Sequence, residues 1–189
     1  MPNWCANNFS LSGPKEKIEE IYNQITSKDE SKGLLDALVP MPQEIRDTFK
    51  EGSESQDWYS WSIDNWGTKW EVDGEGLELQ LDGDSNEASI NGYFDSAWGP
   101  PTQAYETFLA DNEDCSIWAS YEEPGMDFAG IYDNGEIKHL DGLMDIVKEI
   151  VQDDLEKSDN ELFNELDGEF DIVERNRDWI LEEMEGEDD

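Results

Sequence analysis

Apolar and polar residues alternate from the start of the chain. Cys5, Asn7, Phe9 and Leu11 fall on one side of an extended segment and Trp4, Ala6, Asn8 and Ser10 on the other, the period of a β-strand. Gly13-Pro14 then opens a helix, with Pro14 at the first helical position. Ile18, Ile21, Tyr22 and Ile25 follow at helical spacing as one apolar stripe. After a polar break from Ser27 to Lys32, Leu34 to Val39 is an apolar run halted by Pro40-Met41-Pro42, and Gln43 to Lys50 suggests a short helix. Leu77, Leu79 and Leu81 alternate with Glu78, Gln80 and Asp82, Gly83-Asp84-Ser85-Asn86 forms a turn, and Ala88, Ile90, Gly92 and Phe94 return as the partner strand. Trp98-Gly99-Pro100-Pro101 launches a helix with Tyr105, Phe108 and Leu109 inward. Cys115, Ile117, Ala119 and Tyr121 predict a further strand. Phe128 to Tyr132 and Glu136 to Leu140, joined by Asn134-Gly135, predict a closing hairpin.

Strand, helix, long connection, strand, strand, helix, strand is β-α-β-β-α-β plus an extra hairpin. The order predicts an α+β fold: a ferredoxin-like sandwich over residues 1–140, with helices on one face of an antiparallel sheet. The connection from 26 to 76 is far longer than an ordinary loop, which argues for structure or function of its own. It contains the stretch Asp57 to Trp70, with Trp58, Trp61, Trp66 and Trp70, four of the eight tryptophans. So dense an aromatic cluster is core, recognition surface, or one grading into the other. Gly67-Thr68 suggests a tight turn carrying Lys69 back toward the protein, either over an indole face or out to solvent along its stem.

Five short blocks occur in order: Met1-Pro2-Asn3-Trp4-Cys5, Leu38-Val39-Pro40-Met41-Pro42, Trp66-Gly67-Thr68-Lys69-Trp70, Ala97-Trp98-Gly99-Pro100-Pro101 and Tyr121-Glu122-Glu123-Pro124-Gly125. Together they make residues 1–140 resemble the YubB-like, Api-type proteins of phages and conjugative plasmids. The resemblance implies a ferredoxin-like domain and a mobile-element origin, and it implies no activity. The family pattern often has Ser or Thr before Pro-Pro where this chain has Gly99.

Charge changes the picture most. Against 12 basic residues stand 49 acidic ones, for a formal net charge of −37. Disordered acidic chains have few aromatics, whereas aromatics make up 11% here, so a folded body is expected. The start shows no signal peptide, no apolar run of membrane-spanning length occurs, and two cysteines are too few for a disulfide framework. The expectation is a soluble cytoplasmic protein of an infected or plasmid-bearing bacterial host. Nucleic acid and anionic membranes would be repelled. The natural complement is a cationic protein surface, unless the acidity merely reflects a salt-adapted or generally acidic proteome.

Charge is densest from Asp141 to Asp189, with 20 acidic and 4 basic residues. This stretch predicts an acidic helical extension. In its first helix Leu143, Val147, Ile150 and Val151 form the stripe, with Asp145, Glu149, Asp153 and Glu156 on the far side. In its last segment Asp167, Asp171, Glu174, Asp178, Glu182 and Glu185 fall on one narrow strip at about 100° per residue, though Gly168 is a possible break. Carboxylates one turn apart stand at about 5–6 Å, on the scale of successive phosphates in a nucleic-acid strand.

Enzymatic motifs are lacking, and no cofactor is implied. Cys115 and His139 are the only conceivable nucleophile and base, and no orienting third group accompanies them. Asp82, Asp84 and Asn86 mimic the opening of a calcium loop, but Glu87 and Tyr93 stand where glycine and the bidentate glutamate belong. The expectation is a non-catalytic nucleic-acid mimic whose carboxylate rows occupy a basic site on a host defence nuclease or its complex, in the manner of an anti-restriction or anti-CRISPR inhibitor. The alternative is a small-ligand or peptide-binding domain with its site around Trp66, Lys69, Trp70 and Trp98 and with incidental acidity. Oligomeric state is left open.

Overall fold

A computed structural model describes residues 3–27, 33–49, 57–81, 83 and 85–187, with side chains as far as Glu183. The predicted strands form: β1 (Trp4–Pro14), β2 (Leu77–Leu81), β3 (Glu87–Ala97), β4 (Ser116–Glu123), β5 (Phe128–Asp133) and β6 (Glu136–Asp141). All neighbours pair antiparallel in the order β2-β3-β1-β4-β5-β6. Between β1 and β2 come α1 (Lys15–Ile25), α2 (Leu34–Leu38), α3 (Gln43–Arg46), a 3-10 turn at Asp47–Phe49, and α4 (Asp57–Trp66). The remaining helices are α5 (Thr102–Asp111), α6 (Leu143–Gln152), α7 (Glu161–Phe170) and α8 (Ile172–Glu187). With β3 between β1 and β2, and β1 between β3 and β4, the first four strands have the predicted ferredoxin-like order. The hairpin β5–β6 extends the β4 edge. Its two-residue loop, Asn134-Gly135, has φ of 48° and 93°, the doubly left-handed turn that favours this dipeptide. Pro14 sits just outside α1 as its capping residue, with φ −56°.

Helices pack on both faces of the sheet, on the second face against its β4–β5 part. Phe9, Leu11, Ile90, Phe94, Ile117 and Ala119 point to one side. There they bury Ile18, Ile21 and Ile25 of α1, Leu34 and Leu35 of α2, and Tyr105 and Phe108 of α5. Adjacent strand residues point to opposite faces. On the other side, accordingly, Trp118, Ala129 and Ile131 meet Val147 and Ile150 of α6, Phe163 and Leu166 of α7, and Ile172 and Ile180 of α8. The helices from residues 1–140 that meet the sheet lie on one face, as expected, and the acidic extension α6–α8 lies on the other. The second face of β1 and β4 carries Asn8, Ser10, Ser120 and Glu122, a pattern that reads as solvent-facing. The helices meet it through polar contacts. Asn8 donates to Glu169 of α7 at 3.2 Å, and Arg175 of α8 pairs with Glu122, which is only 2% exposed.

Gly130 marks a close approach. Across three strands Tyr121, Gly130 and His139 are in register, and a Cβ at Gly130 would stand 2.3 Å from Tyr121 Oη and 2.5 Å from the Lys138 carbonyl. Its absence lets the tyrosine reach across β5 to His139 Nδ1, 3.1 Å away. The calcium-like turn joins β2 to β3: Asp82 and Asp84 lie outside the described residues, and Glu87 and Tyr93 are ladder residues of β3. Among the described residues no helix is long and apolar enough to cross a membrane.

If α6–α8 are one cooperative unit with the sheet, Leu166→Ala should lower the stability of the whole chain by about 2–5 kcal/mol. Urea denaturation followed by tryptophan fluorescence and by far-ultraviolet dichroism should show one coincident, shifted transition. A separate early dichroism transition, with fluorescence unmoved, would show the helices to be an independent layer.

Candidate functional site

The acidic strip is built from two helices. Asp167 lies on α7, and its Oδ1 accepts the Val173 N–H at 2.7 Å, so it caps the start of α8. The chain breaks at Asp171, which adopts φ 52° in the left-handed region; Gly168 is inside α7. From there α8 clamps Ile172, Val173 and Ile180 inward. At about 100° per residue, Glu174, Asp178 and Glu182 fall on the opposite side, and all three are exposed, as is Asp171. Glu174 has an ion pair within the helix, to Arg177 at 3.6 Å, while staying 82% exposed. Glu185 is on α8, its side chain outside the description. Of the second acidic row, Asp145 and Glu149 project from α6, Asp153 caps its C-terminal end, and Glu156 follows in the loop before α7; all four are exposed. Lys148 reaches Glu183 at 3.6 Å and lies 5.8 Å from the ring centre of Trp179, which is 51% exposed beside the strip.

The tryptophan-rich stretch becomes α4 and the turn after it. Ser62 and Trp66 bury against the core, and Trp66 Nε1 donates to the Val39 carbonyl at 2.9 Å. Gly67 ends the helix at φ 82°, a glycine C-cap whose N–H donates to the Ile63 carbonyl at 3.1 Å. Thr68 then hydrogen-bonds the Ala97 carbonyl at 2.8 Å, pinning the turn to the end of β3. That contact brings Lys69 and Trp70 beside Trp98, itself in the left-handed region at φ 68°. The Lys69 ammonium lies 4.6 Å from the ring centre of Trp70, 5.3 Å from Trp98 and 5.7 Å from Tyr59. Of the residues singled out from sequence, Lys69, Trp70 and Trp98 thus converge, while Trp66 serves the core on the inner side.

Beside this cluster is a pocket of about 510 Å³, lined by Met41, Phe49, Trp58, Ser62, Trp66 and Trp70 with Arg46, Lys69 and Glu71. Sequence reasoning missed Arg46 and Glu71, since nothing marks one acid among 49. Glu71 is nevertheless distinct. Its carboxylate accepts the N–H groups of Leu35 at 2.6 Å, Asp36 at 2.8 Å and Val72 at 2.9 Å, capping α2 from a distant part of the chain. Burial pushes its carboxyl up to about 7, against the pull of those three donors. Arg46 pairs with Asp36, which is largely buried.

Cys115 and His139 do not meet. Cys115 precedes β4, beside Gly13 and Asp114; His139 lies toward the other end of that strand, against Tyr121 and 3.1 Å from Asp141. Burial raises the Cys115 thiol further from reactivity.

Fold and surfaces together define an acidic α+β sandwich with a charged outer layer and an aromatic pocket among the described residues. No family model matches the chain, and no curated protein matches it. Among solved structures it is similar to a protein api92 from Yersinia pseudotuberculosis, at 21% identity over 57% of this chain with a TM-score of 0.38. The match spans 39% of that protein's length.

The raised Glu71 carboxyl has a pH signature. Its folded value lies above the unfolded value of about 4.3. Its contribution is therefore complete below that pH and is lost as pH rises toward 7. Between pH 4 and pH 8 the wild type should lose about 3 kcal/mol more than Glu71→Gln, which cannot titrate. Urea denaturation of both across that range isolates this group from the general repulsion of the acidic surface. Parallel pH profiles would mean that the three N–H donors keep the carboxylate ionised throughout.

Proposed function

We propose that this chain is a non-catalytic binding protein that presents ordered carboxylates to a cationic nucleic-acid-binding surface on another protein. The observation that carries the reading is the outer face of α8. Glu174, Asp178 and Glu182 repeat there one turn apart, exposed, on a helix whose inner face is held to the sheet by Ile172, Val173 and Ile180. Like charges at that spacing destabilise a bare helix. Here tertiary packing carries the helix, so the row is kept in place before any partner arrives, which lowers the entropy lost on association. Asp171 extends the row at the α7–α8 junction, and Asp145 and Glu149 on α6 add a second one. Net charge would steer a basic partner toward these faces, and the exposed Trp179 offers an aromatic contact beside the row. Read with the resemblance to phage and plasmid Api-type proteins, the partner class is a host defence nuclease or its complex, which makes the protein an anti-restriction or anti-CRISPR type of inhibitor in the bacterial cytoplasm.

Neutralising the row with Asp171→Asn, Glu174→Gln, Asp178→Asn and Glu182→Gln tests this. In pull-downs from nuclease-treated bacterial lysate, a partner held by the wild type should be lost from the quadruple variant and displaced by added DNA or RNA. Its affinity should fall at least about tenfold between 50 and 200 mM salt. Equal capture by both proteins, undiminished at high salt, is incompatible with a mimic.

A further inference from the structure

The aromatic pocket inverts the charge balance of the rest of the chain. Two of the 12 basic side chains line it, Arg46 and Lys69, against one of the 49 acidic ones, Glu71. Both Glu71 oxygens are already taken by backbone N–H groups, and burial favours its neutral form. Arg46 is committed to Asp36, which leaves Lys69 as the lining cation with no hydrogen bond or ion pair among the described residues, in a protein of net charge −37.

Its walls define the rest of the ligand. Trp58, Trp66, Trp70 and Phe49 present aromatic surface, with Met41 as an adaptable apolar filler. About 510 Å³ lies within the range of small-molecule sites. The polar group that sets orientation is Lys69. Its stem is half-buried and its ammonium is positioned by three rings. Yet among the described residues it makes no hydrogen bond or ion pair, so its N–H donors are unused. An ammonium next to indole faces is incompletely solvated, and an incoming anion would gain a charge-assisted bond there. A cationic ligand would instead meet the Lys69 ammonium, and among the described lining residues the one carboxyl, Glu71, is already held by backbone N–H groups.

We propose that this pocket binds a small aromatic acid, its ring among Trp58, Trp66 and Trp70 and its anionic group on Lys69. The site lies among the helices of the first sheet face, while α8 covers the second, so it is separate from the carboxylate row and independent of the mimic reading.

Three isosteric probes decide the matter: 2-naphthoate, the neutral naphthalene-2-carboxamide and the cationic 2-naphthylmethylammonium. Each is titrated into ¹⁵N-labelled full-length protein at 0.15 M NaCl, with the indole N–H signals recorded by NMR. Naphthoate should shift the Trp58, Trp66 and Trp70 signals with a Kd of about 1 mM or tighter. Lys69→Met should weaken naphthoate at least about tenfold. It should leave carboxamide binding unchanged, which also shows that the variant retains its pocket. Trp58→Ala should weaken both of these probes. The proposal is overturned if the cation binds as tightly as the acid, if Lys69→Met affects acid and amide alike, or if naphthoate leaves those three indole signals unmoved.

Discussion

The fold depends on packing helices against both faces of one sheet while nearly all of its charge stays outside. Between the two helical layers β1 is the inner strand, paired along most of its length with β3 and β4. Its alternating residues feed both layers: Phe9 and Leu11 into the first core, Asn8 into the polar seam with α7. A chain of net charge −37 repels itself whenever it is compact. Two apolar cores oppose that repulsion, and three of the carboxylates turned inward have specific partners, whereas Glu123, 1% exposed, has the Gly125 N–H on one oxygen only among the described residues. Asp36 has Arg46, Glu122 has Arg175, and Glu71 has three backbone N–H groups. The Glu122–Arg175 pair and the Glu71 contacts to α2 tie together segments distant in sequence. Arg175 is the clearest case, since it fastens α8 to the middle of the sheet. A buried ion pair is weak evidence for net stability but strong evidence for specificity of arrangement once one partner is committed to the interior.

Much of this was legible because local signals agreed with the global fold. The alternation in β1, the Ile18-Ile21-Ile25 stripe, the Leu77–Phe94 hairpin and the Asn134-Gly135 turn each point to one conformation, and the ferredoxin-like order follows from their sequence. The second covered face was not legible. Asn8, Ser120 and Glu122 look like solvent positions, yet Ser120 and Glu122 are buried, and Asn8 and Glu122 meet Glu169 and Arg175 from the C-terminal helices. Sequence periodicity reports which face is apolar; it does not report a polar face closed by hydrogen bonds. The helix break was misplaced for a related reason. Gly168 is the weaker helix former, but the Asp167 carboxylate bonded to the Val173 N–H makes Asp171 the corner.

The candidate sites divide the same way. The carboxylate row on α8 could be read from spacing alone, because exposure follows once the apolar stripe is known. The pocket could be read only in part. Trp66, Lys69, Trp70 and Trp98 stood out by composition, but their roles depend on Thr68 pinning the turn to Ala97, a contact between segments far apart in sequence. Trp66 turned inward, and Glu71 and Arg46 entered from positions with no sequence signature.

These sites also differ in what their charge can do. On α8 the carboxylates are exposed and solvated, so each pair interaction with a partner is worth little by itself and is screened over about 8 Å at physiological salt. Such a surface acts through number and regular spacing, governing encounter rate and orientation more than lifetime. At Lys69 a single charge stands over rings on a half-buried side chain, where a lower local dielectric would strengthen one well-placed bond. On the two proposals, long-range attraction and short-range selection would lie on opposite sides of the sheet. An acidic row without a pocket would favour basic surfaces indiscriminately. Chemical selectivity has to come from a group that is geometrically fixed, and Lys69, half-buried and flanked by three rings, is the candidate for it in the described structure.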